Sequence, residues 1–254
     1  MQNTAQRPKV TLITGAARRL GAAMARRFHQ EGHSIIVHYN SSDKAARQVC
    51  EQLNEHRSNS AITIQAALNS KQDIEALAQQ SIAWRGHVDV LINNASSYYP
   101  TPLGSCTQAQ WDDLFASNLK GAFFLTQALA PALREAEGCV LNMTDIYADT
   151  GLPEHAPYVM AKAGVKAMTK TLARELAPKV RVNGISPGAI LWPDTPPDAA
   201  QLAKQQHILS TIPLARTGNE DDIANVAWFL CTQASYVSGQ TIRVDGGRSL
   251  GISL

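Results

Sequence analysis

Tyr158 and Lys162 stand four residues apart, as Y-x-x-x-K, at the head of a stretch with helical spacing. That interval puts both side chains on one helix face. An ammonium beside a phenol stabilises phenolate and lowers the phenol's pKa, which makes the pair a usable proton donor near neutral pH. A second chemistry-bearing segment is Thr14-Gly-Ala-Ala-Arg-Arg-Leu-Gly21, which follows an apolar run and opens a helical one. A glycine-rich turn between strand and helix presents backbone N–H groups and the positive helix end to a pyrophosphate. Asn94 and Ala95 at the end of the fourth apolar run, Asn118 in the helical stretch that follows, and Pro187-Gly188 at the end of the sixth accompany them.

Two features of this set are particular. The spacing T-G-x-x-x-G-x-G would need a glycine where Arg19 stands. An arginine cannot give the glycine's close approach, but it can aim a guanidinium at phosphate oxygens or at a bound substrate. Read as a merely solvated first turn, Arg18 and Arg19 would oppose the helix dipole by ~0.3–1 kcal/mol unless an anion is present. The second strand runs into His38-Tyr39-Asn40-Ser41-Ser42, with no acid until Asp43. A site for NAD would place Asp or Glu there to accept from the ribose 2′-OH. Hydroxyls and an amide, with Arg18 near, suit a 2′-phosphate, so the cofactor expected is NADP(H); an ordinary polar loop is the other reading.

These residues need a scaffold of strands ending at one edge. Val10–Thr14, Ser34–Tyr39, Ala61–Ala66, Val88–Asn93, Gly138–Thr144, Val180–Ser186 and Thr241–Val244 read as strands. Several are apolar nearly throughout, as parallel strands covered on both faces should be. Between them Leu20, Met24 and Phe28, and again Val165, Met168, Leu172 and Leu176, recur at helical steps. Thr107 with Gln110 and Thr217 with Glu220 fit the capping box. Pro178 marks where the helix carrying Lys162 stops. The alternation over the whole length predicts one α/β domain, residues 1–254, with a doubly wound, mostly parallel seven-stranded sheet and helices on both faces. The proline-rich stretch Pro187–Pro197 reads as a loop over a cleft, within a substrate-loop region spanning residues 187–210.

Together the glycine turn, Asn94-Ala95, Asn118, Y-x-x-x-K, Pro187-Gly188 and the final Val244-Asp-Gly-Gly247 resemble the short-chain dehydrogenase/reductase superfamily across nearly the whole chain. The resemblance implies a single-domain Rossmann fold, a nicotinamide cofactor and an Asn–Ser–Tyr–Lys catalytic set. It makes Gly15, Arg18, Arg19, Leu20, Gly21, Tyr39, Asn40, Ser41, Ser42, Leu68, Asn94, Ala95, Ser96, Tyr158, Lys162, Pro187 and Gly188 the cofactor's neighbours. Thirteen residues before Tyr158, where that pattern has serine, stands Asp145. A serine hydroxyl can donate to a substrate carbonyl and a carboxylate cannot.

This departure, the Arg19 turn and the segment Asn94-Ala-Ser-Ser-Tyr-Tyr-Pro-Thr-Pro102 look like the pteridine reductase branch. That likeness implies NADPH-dependent reduction of a dihydropterin or dihydrofolate. Arg19, Ser96, Tyr98, Asp145 and Tyr158 would contact the substrate, with Tyr98 as an aromatic wall facing the nicotinamide. Asp145 and Tyr158 would deliver the proton, Lys162 would bind the nicotinamide ribose, and Asn118 would hold a water joined to Lys162. Ala67 replaces an acid that many relatives have near the adenine, which leaves that contact to the backbone or Leu68. A homotetramer is implied by the same analogy. Two other readings stand beside it: a carbonyl reductase of the same fold, against which Asp145 and Arg19 argue, and a non-catalytic NADP-sensing regulator, which would not need Tyr158, Lys162 and Asn118 together.

Composition excludes several classes. Charged residues are 17% and hydrophobic ones 44% of the chain, enough for a core and too apolar for wholesale disorder. Lys and Arg number 23 against 21 acids, too even a balance for a nucleic-acid binder. No apolar run approaches membrane-spanning length, and the N-terminus has no apolar signal region, so the expected location is cytoplasmic. Cys50, Cys106, Cys139 and Cys231 form no C-x-x-C, and the histidines show no ligand spacing; reduced, mostly buried thiols and no metal are expected.

Overall fold

The first strand, β1 (Val10–Ile13), is buried along its whole length, as are β2 (Ser34–Tyr39), β4 (Val90–Asn93) and β5 (Cys139–Met143). Strands apolar on both faces must be covered on both, and here helices cover them. The computed structural model describes residues 7–190 and 198–251. With β3 (Ala61–Gln65), β6 (Arg181–Pro187) and β7 (Thr241–Val244) they form one sheet in the order β3-β2-β1-β4-β5-β6-β7. Every pairing is parallel.

Helices α1 (Arg19–Gln30), α2 (Asp43–His56) and α9 (Glu220–Trp228) lie on one face, over a core that includes Ile13, Phe28, Ile35, Ile92 and Leu141. Helices α3 (Lys71–Arg85), α5 (Gly121–Glu135) and α7 (Ala156–Glu175) cover the other, over Leu12, Ile36, Leu91, Leu125 and Val182. Neighbouring residues of one strand feed opposite clusters, as the pleat requires. The order reverses at β1, whose neighbours are β2 and β4, so a crevice opens beyond their carboxyl ends.

The strand and helix expectations hold to within a residue or two, and the Thr107–Gln110 capping box is present at the head of α4 (Gln108–Phe115). The second box is displaced. Asn219, not Thr217, caps α9, and Asp222 closes the box, because the helix begins at Glu220 and its first turn collects Glu220, Asp221 and Asp222. Asn is the stronger cap, and the acids suit the helix dipole. The expected 187–210 loop is only partly irregular. Pro187 ends β6 and Ala199–Ser210 form a helix, α8, capped by Asp198 and Gln201. The remainder of the proline-rich stretch, 191–197, lies outside the described residues. All four cysteines are free, but only Cys139 and Cys231 are buried. No helix is long and apolar enough to cross a membrane, and no His, Cys, Asp or Glu cluster could hold a metal among the described residues.

Candidate active site

The glycine turn between β1 and α1 is held by its neighbours. Gly15 adopts a positive φ of 63°, and a Cβ there would lie 3.0 Å from the Ala95 Cα. A Cβ on Gly21 would fall 2.3 Å from the Gly15 carbonyl oxygen, so only glycine lets α1 start this close. Asn94 donates its amide to the carbonyls of Thr14 (2.8 Å) and Gly15 (3.2 Å), while the Thr14 hydroxyl accepts from the Asn94 and Ala95 backbone N–H groups. His38 is a further anchor that sequence reasoning missed. Its Nδ1 accepts from the Gly15 N–H at 3.1 Å, so its Nε2 carries the proton and donates to the Ala66 carbonyl. Burial pushes its pKa down to about 4, which keeps the ring neutral and this tautomer in place. Its only sequence signal is a histidine between apolar strand residues.

Arg19 has φ 50°, the left-handed conformation that the glycine of the motif would supply. The turn has kept the glycine backbone while exchanging the side chain, at a cost of ~1–2 kcal/mol. Arg18 and Arg19 are exposed and no acid stands in the first turn of α1.

A cavity of about 460 Å³ runs from this turn along the sheet edge. Gly15, Arg18, Arg19, Leu20, Gly21, Tyr39, Asn40, Ser41, Ser42, Leu68, Asn94, Ala95 and Ser96 all line it, together with His38 and Asn69, which were not anticipated. Asp43, the first acid after β2, is engaged elsewhere: it accepts from Tyr39 at 2.5 Å and from Arg47. Ala67 donates its N–H to Asp73 in the first turn of the next helix, and Leu68 supplies the apolar wall there. A closely approached glycine turn, a helix N-terminus and a long polar crevice fit a dinucleotide.

Tyr158, Lys162, Pro187 and Gly188 stand outside that lining, as do Tyr98, Asn118 and Asp145. The Tyr158 hydroxyl donates to Asp145 Oδ2 at 2.7 Å, and Asp145 Oδ1 accepts the Tyr147 N–H at 2.8 Å. Pro187 accepts from Ile146 N–H beside Asp145, and Gly188 donates to Val244 while packed against Asp245. Tyr98 is stacked on His155, with centroids 4.7 Å apart and planes at 13°, and meets Tyr158 edge-on at 5.0 Å. His155 was another omission, hidden because it stands at the head of α7 and reads as a helix cap.

The electrostatics correct one expectation. Lys162 was expected to lower the tyrosine pKa; instead Tyr158 is raised well above the ordinary phenol range, by burial first and then by the Asp145 charge and hydrogen bond. The Lys162 Nζ donates to the Met143 carbonyl at 3.0 Å and lies over the Tyr158 ring, 5.8 Å from its centroid, rather than at the hydroxyl. Burial lowers Lys162 itself to about 8, with Asp145 opposing the shift, and burial raises Asp145.

Asn118 lies in a π turn, Ala116–Lys120, joining α4 to α5. Its amide donates to the Ser97 and Leu114 carbonyls, both at 2.9 Å, and its Oδ1 accepts the Ser96 hydroxyl at 2.5 Å. It therefore ties the segment carrying Ser96 and Tyr98 to the helix.

Comparison with known proteins agrees with this geometry. A family model described as enoyl-(acyl carrier protein) reductase matches residues 15–249. The chain belongs to the short-chain dehydrogenase/reductase superfamily. Like other short-chain dehydrogenases/reductases it is an oxidoreductase, of a family that works with NAD(P)H. It is 37% identical over 242 residues to the 3-oxoacyl-[acyl-carrier-protein] reductase FabG of Staphylococcus aureus, covering 94% of this chain and 97% of the relative. It is 35% identical over 282 residues to pteridine reductase 1 of Leishmania tarentolae, covering 95% and 96%. Among solved structures, a Sinorhizobium meliloti protein described as a candidate short-chain alcohol dehydrogenase superposes with a TM-score of 0.90 at 29% identity, over 96% of this chain and 97% of that one.

Proposed function

We propose that this short-chain reductase uses NADPH to reduce a dihydropterin or dihydrofolate-type substrate to its tetrahydro form. The observation that carries the reading is the Asp145 carboxylate in the serine's place, accepting the Tyr158 hydroxyl at 2.7 Å. A ketone reductase needs a donor at that position to polarise the carbonyl, and a carboxylate only accepts. A flat heteroaromatic ring with N–H groups can instead donate to it. Arg19 supports the reading, since a left-handed arginine at a glycine position is retained at a cost in strain.

When bound, the cofactor supplies hydride to a C=N carbon of the ring. The chain's part is to bind, orient and protonate. Tyr98, backed by His155, offers its other face for stacking. Arg19 and Ser96 present polar groups to the ring edge, and Tyr158, or a water between Arg19 and Asp145, gives a proton to the ring nitrogen. Asn40, Ser41 and Ser42 with Arg18 favour the 2′-phosphate, as no free acid stands at the end of β2. A homotetramer belongs to the same proposal and is checked by light scattering.

The second reading, a 3-oxoacyl thioester reductase, is favoured by the relatives at 37% identity. A difference of two percentage points from the pteridine reductase relative decides little, whereas the Asp145 exchange bears on the reaction. NADPH consumption with dihydrobiopterin, dihydrofolate and a 3-oxoacyl thioester tests the two. Reduction of the thioester with neither pterin touched would overturn the pterin reading.

A further inference from the structure

Beyond Asp145 the chain forms a second cavity, of about 430 Å³, with walls from Ile146, Tyr147 and Thr150, from Ser210 and Thr211 at the end of α8, and from Arg248. Ile146 and Tyr147 directly follow Asp145, and the Tyr147 N–H is bonded to its carboxylate. The cavity therefore shares a wall with the proton-delivery pair.

Arg248 is the feature that needs a purpose. It follows the Gly246-Gly247 turn, whose two positive φ values swing the chain back towards Tyr147. Its guanidinium lies over the Tyr147 ring, 5.7 Å from the centroid. Among the described residues it makes no ion pair, and its only hydrogen bond is through its backbone N–H, to Asp245. The acid nearest in sequence, Asp245, is turned inward and accepts the backbone N–H groups of Gly247 and Ser249. Other cations of this end of the sheet are paired: Lys166 and Arg243 both meet Asp149. A planar cation flattened on an aromatic ring, with its donor edge left over, is prepared for a bidentate anion. The Ser210 and Thr211 hydroxyls across the cavity donate to the His207 and Ile208 carbonyls, so their single O–H donors are spent and Arg248 is the donor left to meet an anion.

We infer that this cavity is a substrate-tail subsite in which Arg248 binds a carboxylate carried on the substituent of the pterin ring. The inference rests on the pterin reading and adds what selects among pterins: an anionic substituent, as on dihydrofolate, is preferred to a neutral hydroxylated one, as on dihydrobiopterin. Tyr147 holds the guanidinium in place and so acts as a positioning residue.

The measurement is the ratio of kcat/KM for dihydrofolate to that for dihydrobiopterin, at saturating NADPH. Arg248→Met lowers this ratio about tenfold or more, the size expected when a charged hydrogen-bond partner is lost. Arg248→Lys restores part of it, and in the unmodified enzyme the ratio falls as salt is raised. A ratio unchanged by Arg248→Met, or a salt-independent ratio in the unmodified enzyme, overturns the subsite while leaving the pterin reading intact. Failure to reduce either pterin overturns both.

Discussion

Tyr98 lies flat on His155 and edge-on to Tyr158, so one aromatic ring is braced by a helix-start histidine and touches Tyr158. Tyr98 is 56% exposed, which leaves its outer face to a ligand. Tyr98→Ala is expected to raise KM for dihydropterin ~5–100-fold, as losing ~1–3 kcal/mol of base-like stacking would. His155→Ala frees the ring without removing it and should raise KM severalfold. Steady-state kinetics with NADPH binding followed in parallel checks both. Equal losses of pterin and NADPH affinity would show a general disturbance of the site instead.

Tyr158→Phe removes the proposed proton donor and keeps the ring against Tyr98. Turnover should fall by ~10² or more with NADPH affinity retained. Wild-type turnover in this variant would mean that the proton comes from elsewhere.

The pH profile follows from Lys162. Its folded pKa is about 8 against an ordinary 10.5, depressed mainly by burial, with Asp145 pulling it back up. Lys162 therefore loses its charge as pH rises through about 8, and kcat/KM for NADPH, which reports the free enzyme, should fall on that limb. Asp145→Asn removes the supporting charge and should move the limb to lower pH. The linkage has the opposite sign for stability. Between the folded and unfolded values the unfolded chain holds more protons, so the cost of the buried ammonium diminishes as pH rises across that window. A limb that stays in place in the asparagine variant would separate Lys162 from Asp145.

What was legible in the sequence and what was not divides along physical lines. Strands buried on both faces read as apolar runs, which is why β1, β2 and β4 could be placed within a residue or two. The glycine turn was legible because Gly15 and Gly21 answer to local backbone constraints. His38, His155 and Arg248 were not. Each acts through a partner far away in sequence or through an orientation, and a lone histidine or arginine carries no spacing to recognise. The direction of the Tyr158 shift was illegible for the same reason: four residues set the helix face, but only the tertiary fold buries the phenol and brings the Asp145 carboxylate onto its hydroxyl.

Cofactor preference is a separate test. With Asp43 held by Tyr39 and Arg47, NADPH should exceed NADH in kcat/KM. Arg18→Ala should narrow the gap by weakening NADPH alone. An NADH preference in the unmodified enzyme would sink the 2′-phosphate argument.

Arg19 allows strain and function to be told apart. Its φ of 50° is a conformation glycine takes freely and arginine takes at ~1–2 kcal/mol. Arg19→Gly relieves that strain, and the greater freedom of glycine in the unfolded chain offsets ~0.4–1 kcal/mol of the gain. Stability in urea or heat should therefore not fall by more than about 1 kcal/mol. Pterin turnover should fall tenfold or more, because the guanidinium proposed to meet the ring edge is gone while the backbone of the glycine turn keeps its shape. Arg19→Ala keeps the strain and loses the guanidinium, so it should be less stable than the glycine variant and no more active. If the glycine variant reduces dihydropterin as well as the unmodified chain does, Arg19 serves neither the substrate nor the reaction, and the strained turn has no role in pterin reduction.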